Sequence, residues 1–306
     1  MLTIFAAPKP FTGDVARIQA NALRSWTALP DTDVIVFGDE PGIGAAAHAT
    51  GARHVAEVGR SPEGTPLFDG MLAQAKALAR HDVLCFVNAD VLLFPDLTAA
   101  VPIARHAFER FLLFGRRTNL DVAGEIDVSE SGWAGRLREQ AQSKGVESSP
   151  EWIDYFVFPR GLFGEIPPLV VGRAGIDNWL LWKARSEGAA LVDASRNVLV
   201  VHQNHDYAHH ADGERGVWKG AEAQRNLRLI GGPERRYYVT DATHRLVDGR
   251  VVANWSPSRL ARGASRSPRL RPAQRAIRYV LAATYPLRRR LGLRRHSFSG
   301  TSSKRP

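Results

Sequence analysis

Residues 86 to 96 read FVNADVLLFPD, an apolar run that stops for Asn88 and Asp90 and then resumes. A carboxylate at the end of a buried strand is costly unless it is paired, hydrated or bound to a cation. Side chains alternate along an extended chain, so Asn88 and Asp90 are predicted to face the same side. Two oxygen ligands so placed suit Mg²⁺ or Mn²⁺, which fill their other positions with water and phosphate oxygens. That chemistry would hold a nucleoside diphosphate. The same residues also allow a plainer outcome, in which Asp90 caps the next turn and Asn88 bonds the backbone.

A second cluster, VHQNHDYAHH, carries His202, His205, Asp206, His209 and His210. Its H-x-x-H spacing suggests zinc, but no H-E-x-x-H helix accompanies it and the segment reads as a strand running into a loop. His202, at the strand end, is the candidate ligand of a cation shared with Asp90; His209 and His210 read as solvated loop residues. In GRAGIDNWLLW, residues 172 to 182, Asp177 follows a Gly-rich loop at a predicted helix start. There it could take a proton from an attacking hydroxyl or simply cap the helix. Trp179 and Trp182 suit the core better than a sugar platform. Asp39 ends the apolar run DVIVFGDE. Lys76, Arg116 and Arg117 are candidate phosphate or acceptor contacts, with solvated surface charge as the alternative. Two further signals fail: Gly42 and Gly44 begin a G-x-G-x-x-G pattern that position 47, an alanine, breaks, and no G-x-S-x-G elbow exists for a serine nucleophile.

The elements that must position these residues follow from periodicity. LTIFAA, DVIVFGDE (33 to 40) and VLCFVNAD (83 to 90) read as buried strands. Between them, Val15, Ile18, Ala22, Trp26 and Leu29 mark one helix stripe, capped by Asp14, and residues 66 to 80 form a second helix with Leu67, Met71, Ala75 and Leu78 inward. Alternation of strand and helix predicts an α/β chain with a mostly parallel sheet flanked by helices, whose ligands bind beyond the carboxyl ends of the strands. Asp39 and Asp90 both stand at such ends. Later strands are predicted at 110 to 117, 154 to 159, 190 to 195 and 197 to 202. A polar helix is expected around 132 to 142, and a hairpin at 243 to 252 turns at Asp248-Gly249.

Composition narrows the function classes. The chain has 306 residues, a net charge of +10 and one cysteine, Cys85, inside an apolar run, so a disulfide framework and a Cys-based metal site are excluded. From residue 261 onward there are 13 Lys or Arg and no Asp or Glu, which leaves 28 basic against 31 acidic residues before it, a body near −3. The basic charge belongs to the tail, and nucleic-acid binding by the body is not expected. Domains are expected at 1–255 and 256–306, the second a basic, partly disordered or amphipathic-helical tail. Its arginines and short apolar run suit an anionic membrane surface. With neither a membrane-spanning run nor a signal peptide, the chain reads as cytoplasmic, peripheral at the inner face of the membrane.

The order of VFGDE, FVNADVLLFPD, GIDNWLLW and VVHQNHDY resembles the GT-A glycosyltransferases, over roughly residues 1 to 245. The resemblance implies a Rossmann-like GT-A fold, a nucleotide-sugar donor and a glycan, lipid-linked or other hydroxyl acceptor. It implies Mn²⁺ or Mg²⁺ held by Asp90 with His202 as a late ligand, and a nucleotide contacted by Asp39, by Asn88 and Ala89, and by Lys76. Asp177 would be the general base of an inverting transfer. The family's acidic D-x-D motif is N-x-D in this chain. The alternatives are a non-catalytic nucleotide-sugar or polysaccharide binder, or a sugar-phosphate nucleotidyltransferase. The latter is disfavoured because AAPKPFTGD lacks a Gly-rich, basic loop.

Overall fold

The computed structural model describes residues 1–205 and 213–266. Strand and helix alternate as β1 (Leu2–Ala6), α1 (Gly13–Thr27), β2 (Thr32–Phe37), α2 (Ile43–Thr50), β3 (Arg53–Val55), α3 (Phe68–Leu78) and β4 (Val83–Val87). Then come β5 (Val91–Leu93), α4 (Pro95–Ala107), β6 (Phe111–Phe114), β7 (Thr118–Leu120), α5 (Trp133–Lys144), β8 (Val146–Glu147) and β9 (Tyr155–Pro159). The rest is α6 (Ile176–Ser186), β10 (Ala190–Asp193), β11 (Val200–Gln203), α7 (Gly213–Lys219), α8 (Ala221–Ile230), β12 (His244–Val247), β13 (Arg250–Ala253) and α9 (Pro257–Arg266). Contacts divide the chain into two units between Ala253 and Asn254.

Nine strands form one sheet in the order β13-β12-β10-β6-β9-β4-β1-β2-β3. Neighbours are parallel except around β9, which opposes both β4 and β6, and at β13, which closes a hairpin on β12. This is the mixed α/β architecture expected from the sequence, a mostly parallel sheet flanked by helices. The central strands β6, β9, β4 and β1 are buried on both faces because they are apolar on both, whereas the outer strands β3 and β13 are mostly exposed. In β1, Leu2, Ile4 and Ala6 join a layer with Ala22 and Trp26 of α1 and Leu97 and Val101 of α4. Phe5 points the other way, into a layer with Phe68 and Met71 of α3 and Trp179 and Leu180 of α6. Cys85 is fully buried in β4, and the thiol is pushed well above its ordinary range by that burial. The β12–β13 turn has Asp248 and Gly249 at φ +48° and +73°, the left-handed pair a type I′ hairpin needs.

Two departures from the sequence reading decide the site. The strand expected to run to Asp90 stops at Val87; residues 88–90 turn, closed by Val91 N–H donating to Asn88 O at 3.2 Å. Side-chain alternation therefore does not apply to Asn88 and Asp90. The chain then enters a second sheet, β5-β11-β7-β8, in which β11 pairs antiparallel with β5, Val91 opposite His202. The strand expected at 197 to 202 belongs to this small sheet and not to the large one. Its apolar face, Leu92, Phe94, Leu120 and Val201, packs with Leu137 and Ala141 of α5.

The small sheet is tied to α1 by a buried polar network. Gln203 donates to Ile18 O at 2.8 Å and accepts from Asn21 at 3.1 Å; Asn21 also donates to Gly124 O at 3.0 Å and accepts from Ile126 N–H at 2.8 Å. Trp26 Nε1 donates to Val91 O at 2.8 Å. In the second unit, Arg259 lies over the exposed Trp255 ring, 5.6 Å from its centroid. Among the described residues no helix is long and apolar enough to cross a membrane. Asp206, His209, His210 and the tail beyond 266 lie outside the described residues.

Asn21→Leu removes an amide shared by the buried Gln203 side chain and Ile126 N–H and by the Gly124 carbonyl. Leaving them unsatisfied is expected to cost about 1–3 kcal/mol, at ~2–4 °C of Tm per kcal/mol for a domain of this size. Thermal unfolding should show a loss of at least about 2 °C.

Candidate active site

The carboxyl ends of β1, β2 and β4 share one rim of the large sheet. Phe5 of β1 pairs with Phe86 of β4, and four residues on from each come Lys9 and Asp90. Gln203 N–H donates to Asp90 O at 3.1 Å, continuing the β5–β11 ladder past its last pair. This backbone contact sets the Asp90 carboxylate against the two imidazoles that follow. His205 Nε2 is 3.1 Å and His202 Nε2 3.7 Å from Asp90 Oδ2. One ligand atom from each of Asp90, His202 and His205 lies within 4.8 Å of the others.

Electrostatics at Asp90 is a contest between burial and charge. Burial alone would raise its carboxyl, but the His202 ring, the His205 hydrogen bond and the Lys9 ammonium hold it well below the usual carboxylate range. Burial in turn lowers both His202, against the pull of Asp90 and Asp154, and Lys9, against that of Asp90. A lowered imidazole is a neutral one, the form that binds metal. Asp90 Oδ1 and His202 Nδ1 are shielded from solvent without a hydrogen-bond partner among the described residues. One carboxylate and two imidazoles therefore fit a divalent cation with open positions, and suit Mn²⁺ better than the oxygen-seeking Mg²⁺.

Lys9 is placed rigidly. It lies between Pro8 and Pro10, and the buried Gln19 side chain accepts from its N–H at 2.6 Å and donates to its carbonyl at 2.8 Å. Its ammonium makes no ion pair within 4.0 Å among the described residues, with the Asp90 carboxylate and the Arg173 guanidinium close enough to shift it.

Asp177 comes to the same region from α6. It sits in the first turn, two residues after Gly175, which occupies the N-cap position. Burial, then the nearby Asp154 and Asp90 carboxylates, push its pKa well above the ordinary value, with Arg117 opposing. Its Oδ1 is shielded and has no hydrogen-bond partner among the described residues. A carboxylate so raised is a stronger base than a free one.

Asp154, which the sequence reading passed over, links the parts. It is 3% exposed, pairs with Arg117 at 2.6 Å and accepts from Asn88 Nδ2 at 2.9 Å. Asn88 thus spends its side-chain amide on Asp154, and Ala89 packs its methyl on the apolar layer. Asp90 is the one carboxylate among the three turn residues, and its Oδ1 is without a hydrogen-bond partner among the described residues. Asp39 is at the same rim, two strands from β4, and pairs with Arg60, which also bonds Glu40 at 2.8 Å. Asp39, Arg60, Gln74 and residues 56–59 line a cleft of about 470 Å³.

Lys76 does not join them. α3 runs against the strands, so its last turn lies at the opposite rim, where Lys76 Nζ donates to Phe163 O at 2.5 Å. Its expected contact with the nucleotide is therefore corrected. Arg117 is half-buried and pairs with the buried Asp154, while Arg116 pairs with Glu147 at 2.6 Å near the surface. Trp179 is core.

Two loops of this rim share one partner on α8. The buried Glu222 carboxylate accepts from Ser61 Oγ at 2.5 Å, Thr65 Oγ1 at 3.0 Å and Arg173 Nε at 2.8 Å.

No protein-family model and no characterised protein sequence matches the chain. Among solved structures, it is similar to glucosyl-3-phosphoglycerate synthase from Mycobacterium tuberculosis in complex with Mn²⁺, UDP and phosphoglyceric acid. The identity is 18% over 76% of this chain and 79% of that one, with a TM-score of 0.43. It is also similar to S. aureus TarS 1–349 in complex with UDP-GlcNAc, at 12% identity over 67% and 59% of the two chains and a TM-score of 0.44. A mycobacterial protein gives 15% identity over 78% and 82%, with a TM-score of 0.44. These likenesses concern chain path alone.

Loss of even an outer-sphere partner typically weakens a metal site about 10–100-fold. His205→Ala is accordingly expected to weaken Mn²⁺ binding at least tenfold, read by the free-ion electron paramagnetic resonance signal during titration. Unchanged affinity would remove His205 from the ligand set.

Proposed function

We propose that the protein is a GT-A-type glycosyltransferase that moves a sugar from a nucleoside-diphosphate donor to an acceptor hydroxyl, with a divalent cation and with inversion at the anomeric carbon. The observation that carries this function is the convergence of Asp90, His202 and His205 at the rim where ligands of parallel sheets bind, with the Lys9 ammonium alongside. Asp90, His202 and His205 would hold Mn²⁺, which when bound supplies positive charge to the departing diphosphate. Lys9 adds a fixed cation for the same phosphates, held in place by Gln19. The Asp39–Arg60 cleft is of a size for the nucleoside, with the Asp39 carboxylate as acceptor for ribose or base.

Asp177 is assigned the base. As the acceptor oxygen forms its bond to the anomeric carbon, the hydroxyl proton passes to the Asp177 carboxylate and the bond to the diphosphate oxygen breaks, its electron pair leaving with the diphosphate. The raised basicity of Asp177 serves that transfer. Arg117 and Asn88 both act through Asp154, whose negative charge contributes to that basicity.

A general base contributes ~10²–10⁴-fold to rate. Asp177→Asn is therefore expected to keep the thermal shift given by Mn²⁺ with a nucleoside diphosphate and to lose transfer about 100-fold or more. Asp90→Ala should lose both. An Asp177→Asn variant with full turnover would return this residue to a structural role, and nucleotide binding without turnover in the unaltered protein would identify a binder.

The protein is further assigned to the cytoplasmic face of an anionic membrane, supported by a tail with 13 basic residues and no acid and by the exposed Trp255 and Leu260 at the start of that unit. The full chain should sediment with phosphatidylserine vesicles and not with phosphatidylcholine vesicles, and should be released by raised salt. Equal binding to both vesicle types would refute the attachment.

A further inference from the structure

Beside the carboxylates stands an aromatic pair that the transfer chemistry leaves unused. Trp152 and Trp218 meet edge to face, with centroids 5.2 Å apart and planes at 89°. Both are half-buried. Three contacts tie the pair to the neighbourhood of Asp177. Asn178, the following residue, donates to Glu151 O at 3.1 Å, one residue before Trp152. The Arg117 guanidinium lies 4.9 Å from the centroid of the Trp152 ring. The same guanidinium pairs with Asp154, whose charge reaches Asp177.

This region also holds polar atoms that nothing among the described residues satisfies. Trp218 Nε1, Arg117 Nε and Asp177 Oδ1 are all shielded from solvent and have no hydrogen-bond partner among the described residues. A buried indole N–H ordinarily finds an acceptor. Indole faces with a few convergent polar groups are the lining of a small-molecule site.

On the basis of the transferase function above, we infer that Trp152 and Trp218 form the acceptor subsite and that the acceptor is an uncharged saccharide. A sugar ring presents an apolar C–H face to an indole and hydroxyls at its edge. One hydroxyl accepts from Trp218 Nε1, and the reacting one donates to Asp177. Charge argues against an acidic acceptor. The carboxylates of Asp90, Asp154 and Asp177 act on one another here, the guanidiniums of Arg117 and Arg173 are already matched by Asp154 and Glu222, and the Lys9 ammonium is assigned to the donor phosphates. Arg235 lies over Trp182, a turn further along α6.

The test is binding without nucleotide or metal, so that it does not depend on turnover. The full-length protein is applied to an array of neutral, uronic-acid-bearing and phosphorylated oligosaccharides, and the best neutral ligand is titrated by tryptophan fluorescence. Neutral saccharides are expected to bind. Trp218→Ala should weaken them at least tenfold, and Trp218→Phe, which keeps a ring but loses the N–H, by an intermediate factor. Melting temperature, with and without Mn²⁺ and a panel of nucleoside diphosphates, reports separately on folding and on the donor side. Binding confined to charged saccharides, no binding to any, or neutral binding unchanged in both variants would overturn the subsite. Trp218-dependent saccharide binding in a protein that shows no nucleotide shift would instead overturn the donor assignment and leave the subsite standing.

Discussion

One largely buried carboxylate, Asp90, organises the rim of this protein. Its burial opposes ionisation, and three cationic or cation-capable groups reverse that: two imidazoles and an ammonium. None is its sequence neighbour. Lys9 comes from the end of β1 and His202 and His205 from the end of β11, so the electrostatic balance of one side chain requires both sheets to be in place. Because an uncompensated charge in such a position costs several kcal/mol, the site and the fold are mutually dependent.

The hydrogen-bonding geometry that achieves this is modest. β4 gives up its direction at Val87, a three-residue turn follows, and β5 then pairs with β11 in the opposite sense. The turn frees the Asp90 carboxylate from the strand, and the pairing delivers the imidazoles to it. Gln203 and Asn21, buried and fully bonded, fix the register from behind. In the large sheet, β9 plays a similar part: since it runs against its neighbours, it brings its first residue rather than its last to the rim, and that residue is preceded by Asp154.

Much of this was legible from periodicity. Apolar runs ending in Asp39 and Asp90, and a helix start at Asp177, pointed to the carboxyl rim of the sheet and a helix N-terminus; in the structure Asp39 and Asp90 follow just after β2 and β4, and Asp177 is in the first turn of α6. The meeting of Asp90 and His202 was expected, and their side chains lie 3.7 Å apart. What could not be read was direction. Strand alternation does not govern Asn88 and Asp90, because β4 ends at Val87 and the next three residues turn. Lys76 was assigned to the rim although α3 carries it to the far side. Asp154 sits before a strand whose sense no local signal reveals. His205 had a signal, the H-x-x-H spacing, but a loop residue's return to Asp90 depends on tertiary packing. The Trp152–Trp218 contact joins residues 66 apart through no pattern at all.

The three hydrogen bonds to Glu222 have a mechanical consequence. Ser61 and Thr65 lie on the loop that carries Arg60 to the cleft, and Arg173 on the loop that leads into α6. Lifting either loop strips donors from a carboxylate the other loop still surrounds, so the cost of the first displacement lowers the cost of the second. The shared carboxylate thereby couples the two loops, so that opening of one is felt by the other.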